Sequence, residues 1–234
     1  MKKTLLALAV AAALVPSLAM AEAGDIVVRL RVTHISADES SSLGATTQTN
    51  TGLANTLYGN TTAELRVDSN TIPEIDFSYY ITKNIAAELI LAVGTRHDVK
   101  ITVASSSVAS NYNQNLGSVY LLPPTLSLQW HFNPDQTFDP YVGAGVSYIR
   151  AMDGNLHYDG PASLPIRISR NSFGPAIQAG FDYNLENKWL LNFDVKKIWF
   201  DTKVETQASN NVWTKIDQLD VDPWVVSVGF GRKF

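Results

Sequence analysis

The chain has 234 residues and no cysteine, and its 18 basic and 22 acidic side chains give a formal net charge of −4. An acidic chain has no general attraction for nucleic acid, so we expect no nucleic-acid partner. The length and the 45% apolar content predict one domain or at most two. Without cysteine, an exported form of this chain cannot rely on disulfides for its stability.

Residues 1–21 have the pattern of a secretory signal peptide. Lys2 and Lys3 precede an apolar run, and Ala19-Met20-Ala21 forms an A-x-A cleavage site. The apolar run is too short to span a membrane as a helix. We therefore predict cleavage after Ala21 and a mature chain, residues 22–234, with 16 basic and 22 acidic residues and a net charge of −6.

The mature chain contains eight segments in which apolar side chains alternate with polar or small ones. In chain order, the apolar faces carry Ile26, Val28, Leu30 and Val32; Ile75, Phe77, Tyr79 and Ile81; Ile85, Ala87, Leu89, Leu91 and Val93; Leu126, Leu128, Trp130 and Phe132; Val142, Ala144, Val146 and Tyr148; Ile177, Ala179, Phe181 and Tyr183; Trp189, Leu191, Phe193 and Val195; and Trp224, Val226, Val228, Phe230 and Phe234. Alternation over about ten residues is typical of a tilted strand that crosses a bilayer. A helical membrane protein is excluded because no run of about 18 apolar residues follows the signal peptide.

The connections between these segments alternate in length. Residues 82–84, 133–137 and 184–187 form three short ones, and residues 36–69, 98–118, 150–171 and 202–220 form four long polar ones. Short turns on one side and long loops on the other are typical of outer-membrane barrels. We predict an all-β fold, an eight-stranded antiparallel transmembrane β-barrel with long extracellular loops and short periplasmic turns, in the bacterial outer membrane.

Several motifs resemble those of one family of outer-membrane proteins. They are Leu122-Pro123-Pro124-Thr125-Leu126, Pro140-Tyr141-Val142-Gly143-Ala144-Gly145-Val146, Phe181-Asp182-Tyr183, and Asp220-Val221-Asp222-Pro223-Trp224-Val225 with Gly229-Phe230-Gly231. In combination these motifs resemble the OmpW family. The resemblance implies an eight-stranded barrel with a narrow, largely apolar lumen, which takes up small hydrophobic molecules and releases them sideways through a gap in its wall.

Two positions depart from the pattern of that family. Gly94 stands where better known members have a proline near the outer end of the third strand, and we assign the possible lateral opening to it. Glycine weakens a strand but keeps its N–H. Lys196 and Lys197 replace an aromatic pair found in some members, and the alternation points Lys196 into the lumen.

The inward faces carry many charges for so narrow a barrel. Buried charges must pair, because an isolated ion is very costly in a low dielectric. Two interpretations remain open: a structural salt-bridge plug, or a filter that blocks ions and leaves an apolar vestibule around Ile90 open to ligands. The inward basic residues are Arg29, Arg31, Lys196 and Lys233, and the inward acidic residues are Glu74, Asp76, Glu88, Asp182 and Asp194.

The four histidines give little support for catalysis. His34, His97, His131 and His157 show no zinc-binding spacing. A Ser-His-acid set built from His97, Asp98 and a loop serine is the remaining alternative. We predict that the protein is not an enzyme and that it holds no metal or cofactor.

The aromatic residues at the end of the last predicted strand indicate how the protein is inserted into its membrane. Phe234 ends the chain, and Phe230 lies on the same face of the strand. A terminal aromatic in this register matches the signal that the barrel-assembly machinery recognises in barrels of the resembled family. The expected partners are this machinery, outer-membrane lipids and small hydrophobic solutes. The function hypothesis is a narrow channel or binding site for such solutes, and the alternative is a structural or surface-interaction barrel with a sealed lumen.

Overall fold

The computed structural model describes residues 22–49, 63–92, 95–103, 113–159, 163–207 and 212–234, so the predicted signal peptide lies outside the described residues. Nearly all of this part is β-sheet. The strands are β1 Ile26–Ser36, β2 Ala63–Val67, β3 Asn70–Tyr80, β4 Ile85–Ala92, β5 Thr95–Val103, β6 Gln114–Leu122, β7 Thr125–His131, β8 Phe138–Gly154, β9 Leu156–Asp159, β10 Ser163–Ile168, β11 Asn171–Asn184, β12 Trp189–Ile198, β13 Asp201–Gln207, β14 Trp213–Asp220 and β15 Trp224–Lys233. Among the described residues, a short helix, α1, spans Leu43–Thr49, and a 3-10 turn spans Glu186–Lys188.

Eight of these strands close into a barrel. Their order is β1-β3-β4-β7-β8-β11-β12-β15, and every neighbouring pair is antiparallel. β15 closes the ring by pairing with β1 from Val27↔Lys233 to Ser36↔Trp224. The predicted eight-stranded antiparallel barrel is confirmed.

The barrel wall has the alternation that a membrane requires. On β7, Leu126 and Leu128 are 60% and 57% exposed, whereas Ser127 and Gln129 between them are 2% exposed. Apolar side chains on the outside of the wall face lipid, so their exposure costs nothing in a bilayer. No helix in the described part of the chain is both long and apolar enough to cross a membrane.

The long connections carry strands of their own. β2, β5 and β6 extend the barrel sheet through the pairing of β6 with the outer end of β8, and β9, β10, β13 and β14 form a second sheet. The two sheets enclose an apolar core. It includes Leu43, Leu65, Leu116, Leu156 and Ile216, which are all at most 3% exposed. The barrel is therefore prolonged, on the side opposite its short turns, by a second β-structure that we call the outer sheets.

Candidate functional site

Arg29 lies fully buried in the middle of the barrel. Its Nη1 is 2.9 Å from Asp76 Oδ1 and donates to Ser78 Oγ at 2.7 Å. Its Nη2 reaches Asp182 Oδ2 at 2.6 Å, on the opposite side of the lumen. Because β1 and β11 are not neighbours in the sheet, this pair crosses the interior of the barrel.

Arg31 lies one step further out on the same face of β1. Its guanidinium is 2.5 Å from Glu74 Oε1, 3.1 Å from Asp76 Oδ2 and 3.5 Å from Glu88 Oε1. The planar guanidinium presents five donors, so one arginine can serve several carboxylates at once. Arg31 thereby joins β1 to β3 and β4.

Lys196 connects Glu88 to β12. Its Nζ is 3.2 Å from Asp194 Oδ1 and 3.7 Å from Glu88 Oε2, and it donates to Gln178. Tyr141 donates its hydroxyl to Asp194 Oδ2 at 2.9 Å. The charged side chains are all at most 6% exposed. We call this set the lumen charge cluster: Arg29, Arg31, Glu74, Asp76, Glu88, Asp182, Asp194 and Lys196.

A second polar group lies below the cluster, near the short turns. His131 Nδ1 is 2.7 Å from Asp139 Oδ2, and the imidazole ring lies between Tyr80 and Tyr141 with ring centroids 5.0 Å away on each side. All four side chains are at most 2% exposed. The lower lumen is therefore filled by side chains, as expected for eight strands.

Above the lumen charge cluster the interior becomes apolar. Two cavities of about 70 and 50 Å³ follow one another outward. Ile90 lines the lower one, and Glu74 and Lys196 form its polar base. The two cavities adjoin each other and have six lining residues in common. Together we call them the outer chamber. The residues that line both are Val67, His97, Leu121, Ile149, Phe200 and Val221.

The barrel wall beside the lower cavity has an interrupted ladder. Among the described residues, the β4–β7 pairing ends at Ile90↔Thr125, and the β5–β6 pairing begins at Thr95↔Leu121. Pro123 and Pro124 lie between them and have no N–H to donate. Gly94, the predicted position of a lateral opening, lies outside the described residues. We call this stretch between the two ladders the seam.

The catalytic alternative at His97 does not assemble. His97 is buried against the outer chamber, whereas Asp98, the next residue on β5, faces outward and lies 3.7 Å from Arg96. The alternation of the strand therefore separates the two side chains.

A Ser-His-Asp contact does occur at His157. His157 meets Ser163 Oγ and Asp159 Oδ1 through the same atom, Nε2, on the exposed surface. A catalytic relay needs the serine and the acid on different ring nitrogens. Within the described ranges, no group of three or more His, Cys, Asp or Glu side chains has a geometry that could hold a metal ion.

Sequence comparison assigns the barrel to a family. Residues 22–234 match the OmpW family. The chain belongs to the OmpW family. Outer membrane protein W of Vibrio cholerae is 32% identical over 239 residues, which cover both chains completely. Outer membrane protein AlkL of Ectopseudomonas oleovorans is 32% identical over 173 residues, which are 74% of this chain and 70% of that protein.

The fold agrees with that of a similar outer-membrane barrel whose structure has been solved. The crystal structure of the outer membrane protein OprG from Pseudomonas aeruginosa superposes with a TM-score of 0.73 at 28% identity, covering 92% of this chain and 98% of that one. The protein is thus an OmpW-family barrel of the bacterial outer membrane, as predicted.

Several neutral side chains of the site were not among the predicted site residues. Tyr141, Gln178 and Asn192 complete the hydrogen bonding of the lumen charge cluster. Each lies at an inward-facing position of its strand, so the alternation of the sequence predicts that its side chain points into the lumen. Their partners became visible only once the barrel was closed.

The predicted assembly signal lies on the outside of the last strand. Phe230 and Phe234 are 49% and 61% exposed, and the Phe234 N–H donates to the Ile26 carbonyl at 2.8 Å. The Phe234 ring therefore contributes little to packing, although the Arg232 guanidinium lies 5.5 Å from its centroid.

Replacing Phe234 with alanine is expected to lower the amount of protein in the outer membrane several-fold, while barrels that do assemble resist urea almost as well as the wild type. The physical reason is that the exposed ring makes few folded-state contacts, whereas the backbone hydrogen bond remains. Membrane fractionation with immunoblotting measures the level. Phe132→Ala, which removes another lipid-facing ring that is 53% exposed, is the control. Equal levels for Phe234→Ala and the wild type would contradict the assembly role.

Proposed function

We propose that this protein is a passive outer-membrane path for small hydrophobic molecules, which enter the outer chamber and leave through the barrel wall rather than through the lumen. The observation that carries the proposal is the sharp change from a largely apolar chamber to a polar lumen in which every charge of the lumen charge cluster is ion-paired. In the proposed path, an apolar solute finds a largely apolar site in the chamber and no continuation below it.

The lumen charge cluster acts as the barrier in this scheme. Axial passage would require separation of pairs such as Arg29–Asp182 and Arg31–Glu74, which are buried and closely matched in geometry. Removing one partner from a buried pair costs about 3–5 kcal/mol, so thermal opening is rare. Both ions and apolar solutes are therefore stopped at the base of the chamber.

The seam is the exit in this proposal. Pro123 and Pro124 remove two N–H donors from the wall next to the lower cavity, and both cavities approach it through Leu121. Gly94 lies outside the described residues, so the proposed exit is argued from Pro123 and Pro124 alone. A solute that leaves here enters the hydrocarbon layer directly and avoids the polar lumen.

A sealed barrel that serves surface interactions is the second candidate. The observation that favours it is the folding of the outer sheets around their own core, since such a structure presents a rigid outer surface. Under this alternative the chamber is only part of that core. Filling the chamber with a larger side chain separates the two functions.

Ala92→Phe is the variant that tests the path. Ala92 is 4% exposed and lines the lower cavity, so the phenyl ring occupies space that a solute would use. Uptake of a small apolar solute into proteoliposomes is expected to fall at least five-fold relative to the wild type. Ala144→Phe adds the same ring on the exposed lipid face and is the matched control.

Both variants must first be shown to be folded by the heat-dependent shift of their gel mobility, because overpacking costs about 1–3 kcal/mol. Uptake by the wild type no faster than by empty vesicles would overturn the proposal. Equal uptake by folded Ala92→Phe and Ala144→Phe would remove the chamber from the path.

A further inference from the structure

The outer chamber contains a hydroxyl with no hydrogen-bond partner. Thr95 is 1% exposed, lines the lower cavity, and its Oγ1 makes no hydrogen bond. Buried hydroxyls are normally bonded, because water is lost when they are enclosed. By contrast Thr125, which lines the same cavity, bonds to Ser147 Oγ. An unpaired Thr95 hydroxyl is therefore a donor that lacks its acceptor.

His97, two residues further along β5, adds an acceptor on the same face. Its Nδ1 lies 2.9 Å from the Asp68 carbonyl oxygen, which can only accept, so Nδ1 carries the proton of the hydrogen bond. In the neutral ring Nε2 is then an acceptor. The side chain is 6% exposed and lines both cavities, and Nε2 has no partner among the described residues.

A second unpaired hydroxyl lies at the upper cavity. Thr202, on β13, is 8% exposed, lines that cavity, and its Oγ1 also makes no hydrogen bond. Thr95, His97 and Thr202 thus contribute unpaired polar atoms to an enclosure that is lined mainly by apolar side chains. All three groups are neutral when the imidazole is neutral.

The charges near the chamber are already satisfied. Glu74 and Lys196 at its base are held by Arg31, Glu88 and Asp194 within the lumen charge cluster. A charged head group would find no free counter-charge there among the described side chains, and burying an unpaired ion is very costly. The unpaired polar groups instead match a neutral ligand that both donates and accepts.

We propose that the outer chamber selects hydrophobic molecules that carry a hydroxyl group, such as alcohols and phenols, over hydrocarbons of the same size. The ligand hydroxyl donates to His97 Nε2 and accepts from the Thr95 hydroxyl, while its apolar body occupies the space between Ile90, Ile149 and Phe200. This inference rests on the proposed function, because it names the class of solute that the chamber takes.

Cyclohexanol and methylcyclohexane form a matched pair of probes, since they have the same number of heavy atoms and differ in the hydroxyl. The full-length mature protein, in phospholipid nanodiscs, carries ¹³C labels in histidine and threonine, and each probe is added at controlled thermodynamic activity. Cyclohexanol is expected to shift the His97 and Thr95 signals. Its half-saturation is expected at an activity roughly three-fold to ten-fold lower than that of methylcyclohexane, the effect of one net hydrogen bond.

Two variants test whether Thr95 and His97 bind the ligand hydroxyl, so that a folding defect in one of them does not decide the result. Thr95→Val keeps the shape of the side chain and His97→Phe keeps a ring, and each is expected to reduce the preference for cyclohexanol while methylcyclohexane still binds. Thr71→Val, at an exposed threonine on the outer wall, is the control that keeps the preference.

The outcomes separate the two proposals. Half-saturation of the wild type at equal activities of the two probes would overturn the hydroxyl preference and leave the proposed hydrophobic path standing. This result is expected if an ordered water molecule accepts the hydrogen bond of Thr95. A preference that persists in both variants would also overturn it. Failure of both probes to bind would overturn the proposed function, and this inference with it.

Discussion

Arg29→Ala is expected to lower the free energy of unfolding by about 3–5 kcal/mol, because it leaves the buried Asp182 carboxylate without its cation and leaves Asp76 paired with Arg31 alone. Asp76 and Asp182 both depend on the Arg29 guanidinium, at 2.9 and 2.6 Å. Neither carboxylate can reach bulk water, since both are at most 2% exposed. Urea titration of the protein refolded into lipid vesicles measures the change.

Two further variants separate this effect from a general loss of charge. Arg66→Ala removes an arginine whose side chain is 48% exposed and which pairs with Glu64 at 2.7 Å. Exposed pairs contribute only about 0–1 kcal/mol, so this variant should be close to the wild type. Asp182→Asn in the Arg29→Ala background removes one stranded charge and is expected to recover part of the loss.

A loss below about 1 kcal/mol for Arg29→Ala, similar to that expected for exposed pairs, would show that water reaches the lumen charge cluster. The lumen would then not be sealed, and the barrier in the proposed path would be wrong. Single-channel recordings provide a second measurement, since an opened lumen is expected to conduct ions and the wild-type lumen is not.

The eight barrel strands were predictable because lipid on one side and a polar lumen on the other impose a strict alternation. β7 shows this well, with Leu126 and Leu128 outside and Ser127 and Gln129 inside. The strands of the outer sheets were missed because water replaces lipid around them. β10, Ser163–Ile168, buries Leu164 and Ile166, but its polar outer face and its proline resemble an ordinary loop.

The members of the lumen charge cluster followed from the same parity, but their partners did not. Arg29 and Asp182 are 153 residues apart and lie on strands that are not neighbours. Only the closure of the barrel brings them within hydrogen-bond distance. The outer chamber was equally hidden, because Thr95, Thr202 and Phe200 belong to segments that the sequence assigned to polar connections or their edges.

The width of the lumen also depends on glycine where strands approach closely. Gly229 on β15 lies opposite Arg31 on β1, and a Cβ at this position would be 2.1 Å from the Leu30 carbonyl oxygen and 2.7 Å from Arg31 Cα. Backbone atoms cannot move away as a flexible side chain can. The absence of a side chain on Gly229 therefore lets Arg31 enter the lumen and reach Glu74.

Gly229→Ala is accordingly expected to cost about 3 kcal/mol of unfolding free energy, near the upper end for overpacking. Gly154→Ala is the control, because its Cβ would meet only the Val119 side chain, at 3.3 Å, and the expected cost is about 1 kcal/mol or less. Urea titration in lipid vesicles compares the two. Equal stability would mean that β15 shifts without cost, and the Arg31–Glu74 pair would then not depend on a fixed distance between β1 and β15.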